Sequence, residues 1–421
     1  MMEGENNNEL IDKPKMLDPN KKVLEKEEDQ KLDDPNLLDI KDEELIVEKE
    51  EDFKKINENT NILLIENIDC KKINKKEENK NEINEINENN ENNENNEIFE
   101  RMKKLEKLES LSMNKANIKS IDFLSDFKSK EKLVILELRE NKIENLNNIE
   151  KATLKNLKLL DLSHNEITSI KGIENDNFKN IQILILAENL IEDIKYIGQY
   201  SFPNLNRLDL STNKIKSIDG LIGGDNSLMK LEYLYLNENE ISKIDCLNNK
   251  IFLKLKELQL NKNKIKEINV FENAEFNKLE ELSLFENEIE SIAPLSKTNF
   301  ENLKILNLGH NKIKSISPLK NEKLKNLKKL NLFYNQIRDI DIFQEKKDLF
   351  NNIEELDLSF NLIENAEKLV EKDVLPNIGK EKLNIEGNPL DYSKEYIMKI
   401  YKKYDIKFSY ISFMTNKEGK N

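Results

Sequence analysis

An asparagine that returns at a nearly fixed interval constrains this sequence more than any other feature. It occupies the ninth position of the pattern Leu-x-x-Leu-x-Leu-x-x-Asn-x-Ile-x-x-Ile, which is clearest from Leu157 to Ile170 around Asn165. Most neighbouring copies are 24 residues apart, and the remaining steps are 26 or 27. Such repetition predicts a solenoid of stacked units instead of one round core. The other asparagines at this position are Asn141, Asn189, Asn213, Asn239, Asn263, Asn287, Asn311, Asn335, Asn361 and Asn388.

Alternation within each copy predicts a short strand, because successive side chains of a strand point to opposite faces. In the clearest copy, Leu160 and Leu162 point inward, while Leu159, Asp161 and Ser163 point outward. Strands of neighbouring copies would lie side by side, about 4.8 Å apart. The pattern therefore predicts a parallel sheet with one buried face and one face that is free to vary.

The pattern resembles the leucine-rich repeat, LxxLxLxxNxI, over roughly residues 105–390. An earlier copy that starts at Leu108 has Ala116 in the asparagine position, which brings the count to about twelve. The resemblance implies an α/β fold, a right-handed horseshoe-shaped solenoid with a parallel sheet on its concave face. It also implies inward asparagines that hydrogen-bond to the backbone turns. Phenylalanines that precede the first Leu should stack under the convex side: Phe178, Phe202, Phe252, Phe276, Phe300 and Phe350.

Residues 1–100 differ in composition from the repeats. They contain 15 basic and 31 acidic residues, a net charge of −16, and Asn81–Glu97 is low in complexity. Such a segment buries too little apolar surface to offset chain entropy, so we predict a disordered acidic tail. Two apolar islands interrupt it. Leu45–Val47 could be a transient helix within Asp42–Ile56, Ile62–Ile65 could be a strand that covers the first repeat, and both could be chance.

The predicted domains after the tail are a solenoid over 101–390 and a C-terminal cap over 391–421. Tyr396 follows the last asparagine by eight residues, with Ile397, Ile400 and Tyr401 at helical spacing. This resembles the helical cap of the intracellular repeat subfamily. We expect Phe408, Tyr410 and Phe413 to add a final apolar covering, and Arg101–Leu108 to form a short N-terminal capping helix.

Charge and composition narrow the partners and the location. The remaining residues have 52 basic and 51 acidic side chains, so the repeats have no excess charge that would attract nucleic acid or anionic membranes. No membrane helix or secretory signal is visible, and Cys70 and Cys246 cannot form a disulfide framework. We expect an intracellular protein, in cytoplasm or nucleus, that is monomeric when free.

Residue types that support catalysis are scarce. His164 and His310 are the histidines of the chain, and six repeats, about 29 Å at strand spacing, separate them. We interpret both as ordinary surface residues and Cys246 as core filler. No metal, cofactor or enzymatic activity is expected. The match Lys119-x-Ile121-x-Phe123 to a phosphatase-docking pattern is interpreted as core, because Ile121 occupies an inward position.

The outward positions of the sheet are the candidate binding site. Apolar and aromatic residues gather there beside acids, which is typical of protein interfaces. We number the repeat positions from the first Leu; positions three, five, seven and eight vary. The candidate residues are Ile135, Glu137, Leu159, Asp161, Ile183, Ile185, Asp209, Tyr233, Tyr235, Phe285, Phe333, Tyr334 and Phe360. Glu140, Glu188, Glu238, Glu286 and Asp357 extend the acidic border, so we expect a basic or mixed protein partner.

Three interpretations of function stay open. The isoleucines after each asparagine and the C-terminal cap resemble the Ile-rich intracellular subfamily, which includes the leucine-rich-repeat regulatory subunit of protein phosphatase 1. That resemblance implies the phosphatase catalytic subunit as partner. The alternatives are an axonemal or cytoskeletal scaffold of the dynein-light-chain kind, and a generic intracellular adaptor. All three are non-catalytic scaffolds that bind a protein.

Overall fold

Within the part of the chain that the structure describes, fourteen parallel strands form one sheet in which the strands follow one another in chain order. The computed structural model describes residues 44–47, 60, 62–66, 100–200, 202–223, 228–248, 250–272 and 274–406. The strands are β1 Glu44–Val47, β2 Ile62–Glu66, β3 Ser110–Asn114, β4 Ile135–Glu137, β5 Leu159–Asp161, β6 Ile183–Ile185, β7 Arg207–Asp209, β8 Tyr233–Tyr235, β9 Glu257–Gln259, β10 Glu281–Ser283, β11 Ile305–Asn307, β12 Lys329–Asn331, β13 Glu355–Asp357 and β14 Leu383–Asn384. The predicted leucine-rich-repeat solenoid is confirmed.

Short helical segments carry the chain back from one strand to the next. Besides a single turn at residues 100–103, the α-helices of the described residues are α1 Lys195–Gln199, α2 Ile342–Glu345 and α3 Glu395–Tyr404. The 3-10 helices are Asp122–Asp126, Ile149–Ala152, Asp176–Phe178, Asp219–Leu221, Asp245–Asn248, Lys250–Phe252, Asn269–Glu272, Ala293–Ser296, Ser317–Lys320, Glu322–Leu324, Lys347–Phe350 and Glu367–Val370. Most are a single turn because each return must span only one repeat.

The core is a narrow stack of identical positions. Leu136, Leu160 and Leu184 lie in register on successive strands, and all three are fully buried. Burying one such side chain contributes about 1.5–3 kcal/mol, and every unit repeats the contribution. The six phenylalanines predicted on the convex side are also buried. A long thin core is therefore built without one large cluster of aromatics.

The repeated asparagines lie inside and bind the backbone of two units at once. The Asn165 side chain accepts a hydrogen bond from the Ile143 N–H (3.0 Å) of the preceding unit. It donates to the carbonyls of Leu138 (2.9 Å), Leu162 (3.0 Å) and Ser163 (3.1 Å). The same pattern recurs down to Asn388. This ladder satisfies buried turn amides that water does not reach.

A second set of asparagines, outside the repeat pattern described above, forms an outer ladder. Each stands just before a Leu or Ile near the start of its unit and donates to a carbonyl of the preceding unit. Asn156, for example, binds the Glu131 carbonyl at 2.7 Å, and Asn326 binds that of Glu301 at 2.7 Å. The other members are Asn180, Asn204, Asn302, Asn352 and Asn377. These bonds tie the return segments together at the surface.

The N-terminal end begins earlier than the predicted boundary at residue 101. The helix hypothesis for Leu45–Val47 is wrong, because this segment pairs with β2 as a parallel strand. Ile62–Ile65 does form a strand over the first repeat, pairing with β3, and its Leu63 and Ile65 are fully buried. The capping helix expected over Arg101–Leu108 is one turn at residues 100–103. Apart from residues 44–47, 60, 62–66 and 100, the residues assigned to the tail lie outside the described part of the chain.

The C-terminal end is closed by α3, as the pattern predicts. Ile397, Ile400 and Tyr401 are buried under the last unit. The Lys403 ammonium donates to the Leu369 (3.0 Å) and Val374 (2.7 Å) carbonyls, and the Tyr404 hydroxyl, with one proton to donate, lies 3.0 Å from each of them. Burial lowers the pKa of Lys403, although nearby acids raise it. The predicted covering by Phe408, Tyr410 and Phe413 lies outside the described residues. Across the described part of the chain, every helix is too short or too polar to cross a membrane.

Candidate binding surface

The residue before each ladder asparagine adopts left-handed backbone geometry. Its φ is close to +53° in unit after unit, for example at His164, Glu188 and Phe360, although it is almost never glycine. This conformation is uncommon for other residues, and the ladder asparagine holds it by bonding the carbonyl just before it. Together with Lys115, which has the same geometry before Ala116, we call this set the rim column: Lys115, Glu140, His164, Glu188, Thr212, Glu238, Lys262, Glu286, His310, Tyr334, Phe360 and Gly387.

In its N-terminal part the rim column is a series of ion pairs between neighbouring units. Lys115 Nζ lies 3.2 Å from Glu140, and His164 Nε2 lies 2.8 Å from Glu188. Glu238 and Lys262 approach to 2.7 Å. Each residue thus uses the next unit as its partner. Of the two predicted surface histidines, His164 fits that interpretation.

In its C-terminal part the rim column becomes a stack of rings. His310 lies parallel to Tyr334, with ring centroids 4.7 Å apart and an 8° angle between planes. The ring centroids of Tyr334 and Phe360 are 6.3 Å apart. Phe333 contacts both of them, and Phe285 lies 6.0 Å from His310. We call Phe285, His310, Phe333, Tyr334 and Phe360 the ring cluster. Four of these were predicted as binding residues. His310 was interpreted only as an ordinary surface residue; it does lie half-exposed at the surface, and its stacking on Tyr334 is a finding of the structure.

The ring cluster leaves large apolar area open to solvent. Tyr334 is 43% exposed and Phe360 is 50% exposed, while Phe285 is buried beneath its neighbours. Two glycines make room for the rings. A Cβ at Gly387 would come within 2.6 Å of the Phe360 ring, and one at Gly309 within 3.1 Å of Phe285. In the last unit the rim position is Gly387, where every other unit has a side chain. This glycine is therefore the feature of the sequence that indicates the packing of the Phe360 ring.

The predicted apolar patch of the N-terminal half is largely closed. Leu159 and Ile183 are only 3% exposed, and Ile135 and Ile185 are half-buried. Ile135, Leu159 and Ile183 stand side by side in register on three adjacent strands. At this spacing their branched side chains cover one another. The expectation that this patch offers exposed anchors is therefore wrong, because the patch packs on itself.

The predicted acidic border is also partly internal. Asp161 accepts hydrogen bonds from the Ser163 N–H (2.9 Å) and hydroxyl (2.6 Å), and it lies 3.6 Å from Arg139 Nε. Burial raises the pKa of the Asp161 carboxyl, although these bonds lower it. Burial likewise raises the pKa of Asp209 and of Asp357, which bind the N–H groups two residues ahead. These acids hold the ends of their own strands.

The centre of the sheet combines the tyrosines with charged neighbours. The Arg207 guanidinium lies 4.8 Å from the centroid of the Tyr235 ring, and the Tyr235 hydroxyl donates to Glu257 at 3.2 Å. Burial raises the pKa of Tyr235 well above its usual range. Tyr233 and Glu137 are half-buried on the same face. Contacts within the sheet therefore occupy much of this region.

Two further predictions concern residues outside the face. Ile121 and Phe123 are buried, as expected, so the phosphatase-docking pattern at 119–123 is part of the core. Cys246 is buried too, and burial raises the pKa of its thiol to about 12. Among the described residues, histidine, cysteine and carboxylate side chains form no cluster suited to a metal ion.

Comparison with known proteins agrees with this architecture. Models of the leucine-rich repeat match residues 153–170 and 277–337, and a model of two consecutive copies matches residues 179–223 and 325–371. Leucine-rich-repeat models thus match separate stretches of the stack between residues 153 and 371. A search of curated proteins finds no match.

Solved leucine-rich-repeat structures are similar to most of the described chain. An internalin, InlF, from Listeria monocytogenes is 26% identical, with 69% of this chain and 82% of that chain covered and a TM-score of 0.52. The plant peptide hormone receptor RGFR1, solved in complex with RGF2, is 21% identical (69% and 45% covered, TM-score 0.52). The LRIM1/APL1C complex is 20% identical (68% and 49% covered, TM-score 0.53). The last two likenesses show the fold alone.

Proposed function

We propose that this leucine-rich-repeat protein is a non-catalytic scaffold whose protein partner binds the ring cluster. The observation that carries the proposal is the exposure of Tyr334 and Phe360 within five contacting rings. Apolar rings left in water are costly unless a partner covers them. Leucine-rich-repeat proteins generally act as protein-interaction scaffolds, which supports the same conclusion.

The partner's contact area extends from the ring cluster to neighbouring exposed residues. Leu362 and Tyr392 are 37% and 39% exposed and belong to the last units. Aromatic residues supply much of the binding energy in protein interfaces, usually surrounded by polar groups. The half-buried Tyr233 and Tyr235 belong to a secondary part of the surface. Leu159, Ile183 and Asp161 have a structural role: they stabilise the sheet that carries the binding surface.

For the identity of the partner, the phosphatase 1 catalytic subunit is the first candidate. Its support is the resemblance of the repeats and the cap to the Ile-rich intracellular subfamily. Because the linear docking pattern at 119–123 is buried, such a partner would have to use the exposed face. An axonemal or cytoskeletal scaffold and a generic adaptor are the outcomes to be separated from it.

A capture experiment tests the proposal. The full chain is immobilised, and binding is measured both to purified phosphatase 1 catalytic subunit and to proteins of a cell extract, identified by mass spectrometry. Tyr334→Ala combined with Phe360→Ala should reduce capture of the specific partner at least tenfold, about 1.4 kcal/mol.

A matched control variant carries Leu190→Ala and Met229→Ala. These two residues are 38% and 37% exposed but lie outside the ring cluster. The control should retain capture, and both variants should unfold at nearly the temperature of the wild type. Equal capture by wild type and the ring variant would refute the ring cluster as the binding site. If the chain captures axonemal proteins or other proteins but not the phosphatase, the phosphatase is not the partner, and the captured proteins take its place as candidates.

A further inference from the structure

One acid in the rim column differs from the others. Glu140, Glu188 and Glu238 each pair with a base one unit away, at 3.2, 2.8 and 2.7 Å. Glu286 has no ion pair or side-chain hydrogen bond to any residue in the described part of the chain, and it is partly exposed. It stands one unit before His310, where the ion pairs end and the rings begin.

The neighbours of Glu286 in the column are both engaged elsewhere. Lys262, one unit before it, donates to Glu238 at 2.7 Å. His310, one unit after it, lies flat against Tyr334 at 4.7 Å. A carboxylate without a partner therefore stands beside an exposed aromatic surface. A cation is the chemistry that fits such a place, because it can pair with the carboxylate and lie against a ring.

We propose that the partner presents an extended segment along the rim column, with an arginine at Glu286 and a large apolar side chain on Tyr334 and Phe360. This inference rests on the proposed function and adds the chemistry of the partner. Arginine fits better than lysine because its flat guanidinium pairs with a carboxylate and stacks on a ring at the same time. An acidic segment or a nucleic acid would meet Glu286 with like charge.

The repeat spacing sets the distance between the two side chains of the partner. Adjacent strands lie about 4.8 Å apart, so Tyr334, two units from Glu286, is about 10 Å away, and Phe360, three units away, is about 14 Å away. An extended peptide advances about 3.3 Å per residue. The arginine and the apolar residue should therefore stand three or four positions apart in the partner.

Short synthetic peptides test this spacing directly on the full chain. The probe is a glycine and serine peptide that carries one arginine and, three positions later, one tryptophan. Because the chain contains no Trp, the peptide's tryptophan fluorescence reports binding without background. A second peptide has citrulline, which is neutral and of the same shape, in place of arginine. A third has the arginine directly beside the tryptophan.

The arginine peptide should bind about three to five times more tightly than the citrulline and adjacent-arginine peptides, the gain expected of one partly exposed ion pair. Glu286→Gln should remove this advantage and leave the citrulline peptide unchanged. The matched control Glu188→Gln, an acid of the same column that pairs with His164, should retain it. Tyr334→Ala should weaken all three peptides.

Equal binding of the arginine and citrulline peptides, an advantage that survives Glu286→Gln, or no binding of the arginine peptide would overturn the inference. The proposed function is judged separately by capture of the protein partner. If the ring variant loses capture while Glu286→Gln keeps it in full, the ring cluster stands as the binding site and the arginine assignment is wrong.

Discussion

The two ends of the rim column use the same backbone for opposite purposes. Both ends hold their residues in left-handed geometry with a buried asparagine beneath. At the N-terminal end, charged side chains pair with the next unit, and the neighbouring apolar residues Leu159 and Ile183 cover one another. At the C-terminal end, rings stack but Tyr334 and Phe360 stay exposed. The repeated backbone thus fixes where each rim residue stands. The type of side chain at that position decides whether it is paired or covered within the protein or stays exposed.

The largest predicted effect separates stability from binding. Leu159→Ala should lower the free energy of unfolding by about 2–4 kcal/mol, because it opens a cavity among buried side chains. Leu362→Ala, at a position that is 37% exposed, should cost less than about 1 kcal/mol. Urea unfolding followed by circular dichroism measures both. Equal losses in the two variants would mean that the N-terminal patch is as open as the C-terminal surface.

A glycine substitution tests how tightly the rings lie on the last unit. Gly387 has φ +68°, and an added Cβ would meet the Phe360 ring at 2.6 Å. Gly387→Ala should therefore destabilise the chain by about 1–2 kcal/mol, from backbone strain and displacement of the ring. Combining it with Phe360→Ala should recover part of that loss in thermal unfolding. No recovery would show that the ring does not rest on this glycine.

Removing one N-terminal ion pair should have a smaller effect. Glu238→Gln breaks the ion pair with Lys262 (2.7 Å) and should cost about 0.2–1 kcal/mol, decreasing at high salt. Glu286→Gln should leave the free energy of unfolding unchanged, since this carboxylate has no ion pair among the described residues. Thermal unfolding at two salt concentrations compares them. A larger loss for Glu286→Gln would contradict the contrast between the two ends of the column.

The buried acids predict a small dependence of stability on pH. Because burial raises the pKa of Asp161, the folded chain holds that proton more tightly than the unfolded chain does. Its contribution to the free energy of unfolding therefore falls as pH rises from the ordinary value of about 3.9 to the raised one. Asp161→Asn keeps an acceptor for the Ser163 N–H and should flatten this fall. Urea unfolding across that range measures it, and an unchanged slope would contradict the assignment.

The sequence predicted the buried positions of each repeat better than the exposure of the residues on the outward face. Leu160, Asn165 and the convex phenylalanines follow from a pattern repeated often enough to fix each inward position. Exposure of outward residues depends on neighbours one unit away, which a single copy does not show. Leu159 looks free within its own unit but is covered by Ile135 and Ile183. His310 looks isolated until Tyr334, 24 residues later, is placed against it. Both contacts become visible only when the units are aligned in columns.

Photochemical cross-linking to the partner tests most directly where the binding surface lies. Benzoylphenylalanine is placed at position 360 in one sample and, in a second, at position 185 on the N-terminal half of the same face. With the captured partner bound, illumination should give a cross-linked product from position 360 and none from position 185. Cross-linking from position 185 without any from position 360 would contradict the assignment of binding to the exposed rings.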